Sequence, residues 1–305
     1  MRLTQTAFAN ARQFIKEHAR SLEKARFEHV FEQGPAAAIL SALAAFQNTD
    51  GGFGHGLEPD VRSPHSSVIC TSIAFQILRS LQIPATHELV KTGLQYLLEQ
   101  YNPQPVHWRT IPPMADQSPH APWWGNSASD RYDEFSLNPT AEILGYLYDY
   151  ADSVPPELIT TVTAKVVETV QASEHLEMHD LLCCLRLVQT GTLPAAIAQP
   201  LMTHLQMLVP QAVDTTPEVW AGYGLRPLQV VEDLQSPFKT GLEAAVEANL
   251  DYEIATQTGT GAWEPTWSWA EDFPEAWVIA QREWSGILTL NNLCCFQRFG
   301  RITQG

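Results

Sequence analysis

A chain of 305 residues, 45% of them hydrophobic, can bury a sizeable core as one large domain or two average ones. A formal net charge of −16 with no run of Lys or Arg argues against nucleic acid or an anionic membrane surface as partner. No apolar run approaches the roughly 18 residues that span a bilayer, so no integral membrane association is expected.

Apolar positions at Ala7, Phe8, Ala11, Phe14, Ile15, Ala19 and Leu22, with Arg12, Lys16, Glu17 and Glu23 opposite, predict a first helix over 4–30. Those charges also interrupt any leader-like stretch, and a cytoplasmic protein is expected. Gly34-Pro35 ends this segment, and a small-residue helix is predicted over 36–47. The dense loop Gln47-Asn48-Thr49-Asp50-Gly51-Gly52-Phe53-Gly54 follows, with the tail His55-Gly56-Leu57-Glu58-Pro59-Asp60. Asp-Gly-Gly is turn chemistry, because glycine reaches positive φ without steric cost.

Helices are next predicted over 66–81 and 86–100. The pattern then collapses over 101–137 into Pro, Trp and His, and irregular segments of that length are often functional. Helices resume at Asn138-Pro139, read as N-cap and first-turn proline, and are predicted over 138–151, 155–172, 177–190 and 195–209. An irregular stretch over 210–238 precedes a helix over 239–256, a second aromatic loop and a last helix over 275–298. Strand alternation is absent, so the fold class read from the chain is all-α, built of helical hairpins. Cys70, Cys183, Cys184, Cys294 and Cys295 lie in apolar helical surroundings without CxxC spacing, and read as buried thiols of a reducing compartment.

The loop contains the pattern Gln-x-x-x-Gly-x-aromatic (Gln47, Gly51, Phe53), which recurs as Gln257, Gly261 and Trp263. A degenerate third copy is read in Lys91 to Gln100, followed by Trp108. Such a motif suits a hairpin staple, in which the Gln amide caps a helix end, glycine turns the chain and the aromatic ring covers the joint. Repetition at successive joints indicates a ring or stack of helical pairs.

At these residues the chain resembles the α/α-toroid superfamily of terpenoid cyclases and protein prenyltransferases, through the Gln-Trp repeats of squalene-hopene-like cyclases. The resemblance implies one α/α-toroid domain over 1–305, of five or six helical hairpins, with a central cavity for a small apolar ligand. The cyclases' Asp-x-Asp-Asp acid motif is absent, its nearest relative being Glu58-Pro59-Asp60, and the prenyltransferases' zinc-binding Asp-x-Cys is absent too. No cofactor is therefore assigned, with Mg²⁺ and Zn²⁺ left open.

His55, Glu58 and Asp60 form the first chemical constellation, able to supply a general acid and its partner base. The competing reading makes the two acids ordinary turn residues. Trp108, Trp123, Trp124, Trp267 and Trp269, with Trp284, form the second. Their faces can stabilise carbocations or stack on sugars, or simply pack over loops. Glu271 to Glu275 suits a helix start around Pro274 better than a Mg²⁺-diphosphate motif. His175 and His179, beside Asp180, suit a helix N-terminus better than a metal pair. Three functions follow: acid-initiated chemistry on an isoprenoid or similar apolar molecule, a carbohydrate-active enzyme with a carboxylate pair, or a non-catalytic toroid binding a ligand or protein. No motif specifies substrate, product or oligomeric state.

Overall fold

The computed structural model describes residues 1–126 and 132–303. Among the described residues the protein is all-α apart from one short hairpin. Among the described residues, no helix is long and apolar enough to cross a membrane. The chain folds into two compact units, one from residues 1–43 with 213–305 and the other from residues 44–212.

The first unit holds α1 (Gln5–His18), α2 (Ser21–Phe31), most of α3 (Ala36–Ala44), α10 (Pro227–Val230), α11 (Glu243–Ala255) and α12 (Pro274–Arg298). The single helix predicted over 4–30 is two. Ala19 and Arg20 are extended, with ψ of 163° and 159°, and the Arg20 guanidinium grips the buried Glu23 at 2.8 and 2.9 Å. That fork matches a carboxylate in two places, so it fixes the restart of the helix where periodicity alone sees continuity. α1 packs against α2 and α12. Beside them, Leu3 pairs in parallel with Ile302, its N–H donating to the Arg301 carbonyl at 2.8 Å. Buried Glu253 on α11 accepts from Arg226 at 2.6 Å and from Asn292 of α12 at 3.3 Å, so one carboxylate joins three segments.

The second unit holds α4 (Val68–Ser80), α5 (Glu88–Glu99), α6 (Leu137–Asp149), α7 (Pro156–Ala172), α8 (Met178–Val188) and α9 (Ala195–Ala212). α6 is its central helix, buried along most of its length and packed on α4, α7 and α8. Ser136, rather than Asn138, caps α6: its hydroxyl accepts the Asn138 N–H, because Asn138 itself lies inside the first turn with ψ of 113°. Part of the predicted irregular region is ordered as β1 (Tyr101–Pro103) paired antiparallel with β2 (Val106–Trp108), and 127–131 lie outside the described residues. Three-residue strands are too short to leave a readable alternation in the sequence.

Candidate functional site

The loop after α3 begins with the staple. Gln47 Nε2 donates to the Gly51 carbonyl at 2.8 Å and to Thr92 Oγ1 of α5 at 2.8 Å, with a longer contact to the Leu89 carbonyl at 3.5 Å. Gly51 takes φ of 85°, and a Cβ there would collide with the Thr92 carbonyl. Phe53 is fully buried, its N–H donating to Thr71 Oγ1 of α4 at 3.0 Å. The second copy repeats the turn and the donation to a neighbouring helix, there to a backbone carbonyl and not to a hydroxyl. Gln257 Nε2 donates to Gly261 and to the Ala7 carbonyl of α1, both at 2.9 Å, and Gly261 at φ 89° presses on Asn10. Trp263 N–H donates to Thr289 Oγ1 of α12 at 3.1 Å. The third copy is not a staple, because Gly93 lies inside α5 beneath Phe75 and Phe53, where helical hydrogen bonds leave no turn to make.

The tail divides at His55. That residue is exposed at φ 54°, and its Nε2 meets Asn48 Oδ1 at 2.8 Å. Glu58 and Asp60 are withdrawn from solvent, at 6% and 2% exposure. Neither is the solvated turn acid that their position beside Pro59 would suggest. The Arg62 guanidinium folds back over this segment against Gly56 and reaches the Pro59 carbonyl at 3.4 Å.

A second stretch of chain seals the acid loop. The Asp60 carbonyl accepts from Ala121 N–H at 2.9 Å, Arg62 N–H donates to Pro119 at 3.0 Å, and Val61 pairs with His120. Val61, Ile111, Ala115 and Tyr132 form a small apolar core here, with Ile69 and Trp124 packed on it. Arg109 braces this stretch by gripping Asn126 at 2.7 Å together with Asp133. Asp116 accepts the Asn126 N–H at 2.9 Å. Burial pushes its carboxyl pKa up, but the hydrogen bonds from Asn126 together with the charges of His120 and Arg109 outweigh burial and carry it below the ordinary value. Arg62, Arg109, Asp116 and Asn126 were not identifiable from the sequence, since their partners are brought to them only by the folded loops.

The tryptophans part company. Trp124 and Trp123 lie beside the acid loop: Trp124 packs on Val61, Trp123 is 40% exposed, and the Trp123 carbonyl accepts from Tyr132 at 2.9 Å. Trp108 is a structural ring, buried with its Nε1 donating to the Leu97 carbonyl at 2.6 Å. Trp267 and Trp269 belong to the other unit, Trp267 edge-on to Trp284 and to Tyr223, and Trp269 buried against Phe273 and Trp277.

Further polar groups lie in the core of the second unit. Buried Glu142 of α6 accepts from Tyr146 Oη at 2.7 Å and from Arg186 at 3.1 Å. Its i, i+4 spacing to Tyr146 on a helix was the one signal available for that pair. Burial raises the pKa of Cys183 and Cys184, so both thiols stay protonated and inert. Among the described residues, no group of three or more His, Cys, Asp or Glu side chains is placed to hold a metal ion. No protein-family model and no curated protein matches this chain.

Proposed function

We propose that this chain is an α/α toroid of the terpenoid-cyclase and protein-prenyltransferase kind that binds a small apolar molecule and acts on it with an acid drawn from Glu58 and Asp60. Support for the toroid comes from the two staples. The first reaches from the joint before α4 to α5, the next helix in the chain. The second reaches from the joint before α12 to α1, the helix that a closed ring sets after the last one.

The reading of the acid rests on one observation, the withdrawal of Glu58 and Asp60 while His55 stays outside. Taking a carboxylate out of water costs roughly several kcal/mol before hydrogen bonds and ion pairs offset it, and sites of acid chemistry are among the places where a chain holds two acids withdrawn in one loop. In an acid-initiated reaction the carboxyl O–H gives its proton to one alkene carbon. The π pair forms the new C–H bond, and the other carbon is left cationic. An aromatic face such as that of Trp124 or Trp123 lowers the energy of that cation. His55, bonded to Asn48 at the surface, is left with the staple rather than with the acid.

The test is a thermal-shift and turnover screen with prenyl diphosphates, triterpenes and oligosaccharides, run on wild type, Glu58→Gln and Asp60→Asn. Stabilisation by an isoprenoid, with product formed by wild type and lost in a variant, supports the reading. A ligand that stabilises all three proteins equally and is never turned over overturns the acid role, and stabilisation by oligosaccharides alone overturns the substrate class.

A further inference from the structure

Residues 117–125 form a flap over the acid loop, drawn together at its base by the residues on either side. Asp116 accepts the Asn126 N–H at 2.9 Å, and Asn126 Nδ2 donates to Asp116 at 3.1 Å and to the Pro112 carbonyl at 3.2 Å. Arg109 holds the same Asn126 at 2.7 Å, so the base is fixed to its surroundings. Within the flap, His120 Nδ1 meets the Ser118 carbonyl at 2.8 Å, and Gly125 N–H donates to Pro122 at 3.2 Å. A loop whose ends meet and which is bonded within itself keeps its shape when it moves.

The tip makes few bonds to what it covers. Two backbone hydrogen bonds join it to the acid loop, Ala121 N–H to Asp60 at 2.9 Å and Arg62 N–H to Pro119 at 3.0 Å. They flank Val61 and His120, which makes that pair a non-hydrogen-bonded one and sets Asp60 directly opposite Ala121. Opposed residues share a face, so the fully buried Ala121 methyl lies beside the Asp60 side chain. Withdrawn as they are, Glu58 and Asp60 receive no substrate while the flap is down. Nearer the base, Tyr132 Oη donates to the Trp123 carbonyl and Trp124 packs on the Val61 core. That packing leaves Trp124 Nε1 buried with no hydrogen-bond partner among the described residues. Lifting the flap returns the N–H to water, which offsets part of the apolar contact given up.

We infer that this flap lifts from residues 60–62 to admit the substrate to Glu58 and Asp60, then closes to keep water from the cation. The inference rests on the reading of those carboxyls as the site of acid chemistry. Opening exchanges two backbone hydrogen bonds for bonds to water and leaves the helices of the second unit folded. It therefore belongs to the low-cost, local motions from which lids are drawn.

A disulfide tests it. Cα atoms of a non-hydrogen-bonded antiparallel pair stand about 4.5 Å apart, within a disulfide's reach, so Val61→Cys with His120→Cys can lock the flap down. The probe of access is a water-soluble carbodiimide with glycine ethyl ester, which converts reachable carboxyls to amides and is read residue by residue by mass spectrometry. Oxidation should slow labelling of Glu58 and Asp60 by at least about tenfold relative to the same protein reduced. Buried Glu142 of α6 should stay unlabelled in both forms. In wild type, amide exchange at Arg62 and Ala121 should outrun exchange in α6 by about 10²-fold or more. Equal labelling with the flap locked and free, labelling of Glu142 in step with the loop acids, or exchange of those amides only together with α6 each overturns the inference. Where wild type turns an isoprenoid over, oxidation should stop turnover and reduction should restore it, and undiminished turnover in the locked form overturns the inference as well. Absence of any turnover counts against the acid reading, whereas unchanged labelling counts against the flap.

Discussion

Gln47 and Gln257 hold the same position in two copies of one joint: each donates through Nε2 to the glycine carbonyl four residues on, at 2.8 and 2.9 Å, and to a neighbouring helix. Replacing Gln47 by Ala leaves the Gly51 carbonyl and Thr92 hydroxyl without that donor. A loss of about 1–3 kcal/mol is expected, as for a part-buried acceptor left unmade. Gly51→Ala should cost more, because a side chain there meets both positive φ and the Thr92 backbone. Urea midpoints at constant slope measure both. Gln257→Ala should give a loss of the same order, and a negligible one would mean that the second copy carries no comparable strain or bonding.

Trp108 and Trp124 make opposite predictions from the same substitution. Trp108→Phe removes a 2.6 Å hydrogen bond to the Leu97 carbonyl, so about 1–3 kcal/mol of stability should go. Trp124 Nε1 is buried with no hydrogen-bond partner among the described residues. Trp124→Phe keeps most of the ring and deletes an unsatisfied donor, so thermal melting should stay level or rise. A marked loss in Trp124→Phe would show that its N–H has an acceptor in solution.

These particulars mark how far the sequence could be read. Helix positions came from apolar spacing, and the staple came from Gln, Gly and aromatic residues at fixed offsets, because all of these are local. The Lys91 to Gln100 copy misled for the same reason: a glycine in the right order looks like a turn until the α5 hydrogen bonds enclose Gly93. The break at Ala19–Arg20 and the Ser136 cap turn on single side chains gripping a neighbour, which periodicity averages away. In the candidate site the two acids were legible as residue types. Their burial was not, since it depends on Pro119 to Ala121 arriving from a distant loop.

Asp180 provides a pH test. Burial raises its pKa first, Glu177 adds to the rise, and the Asn138 N–H, the Ser136 hydroxyl and His179 oppose it without cancelling it. A folded pKa above the unfolded one means that the native state binds more protons between the two values. Stability therefore falls as pH climbs through that window, then stays at the lower level. Asp180→Asn removes the titration. Its melting temperature relative to wild type should be higher at about pH 7 than at about pH 3. A difference that is flat with pH would remove Asp180 from the linkage.

Glu58→Gln and Asp60→Asn separate catalysis from architecture in the acid loop. Both amides keep the shape and one acceptor oxygen, and both lose the proton that an acid delivers. If one of these carboxyls is the acid, its variant should bind the isoprenoid found in the screen with affinity near wild type. Turnover should fall by about 10²–10⁴-fold, the usual contribution of a positioned acid. The other variant should lose less. The loop is sealed by Ala121 N–H on the Asp60 carbonyl, a backbone bond that neither substitution touches, so the fold around it should persist. Melting curves taken with the rates decide the matter. A variant that loses rate and keeps its melting temperature identifies the acid, whereas parallel loss of melting temperature and binding, with turnover per bound substrate unchanged, makes Glu58 and Asp60 supports of the loop.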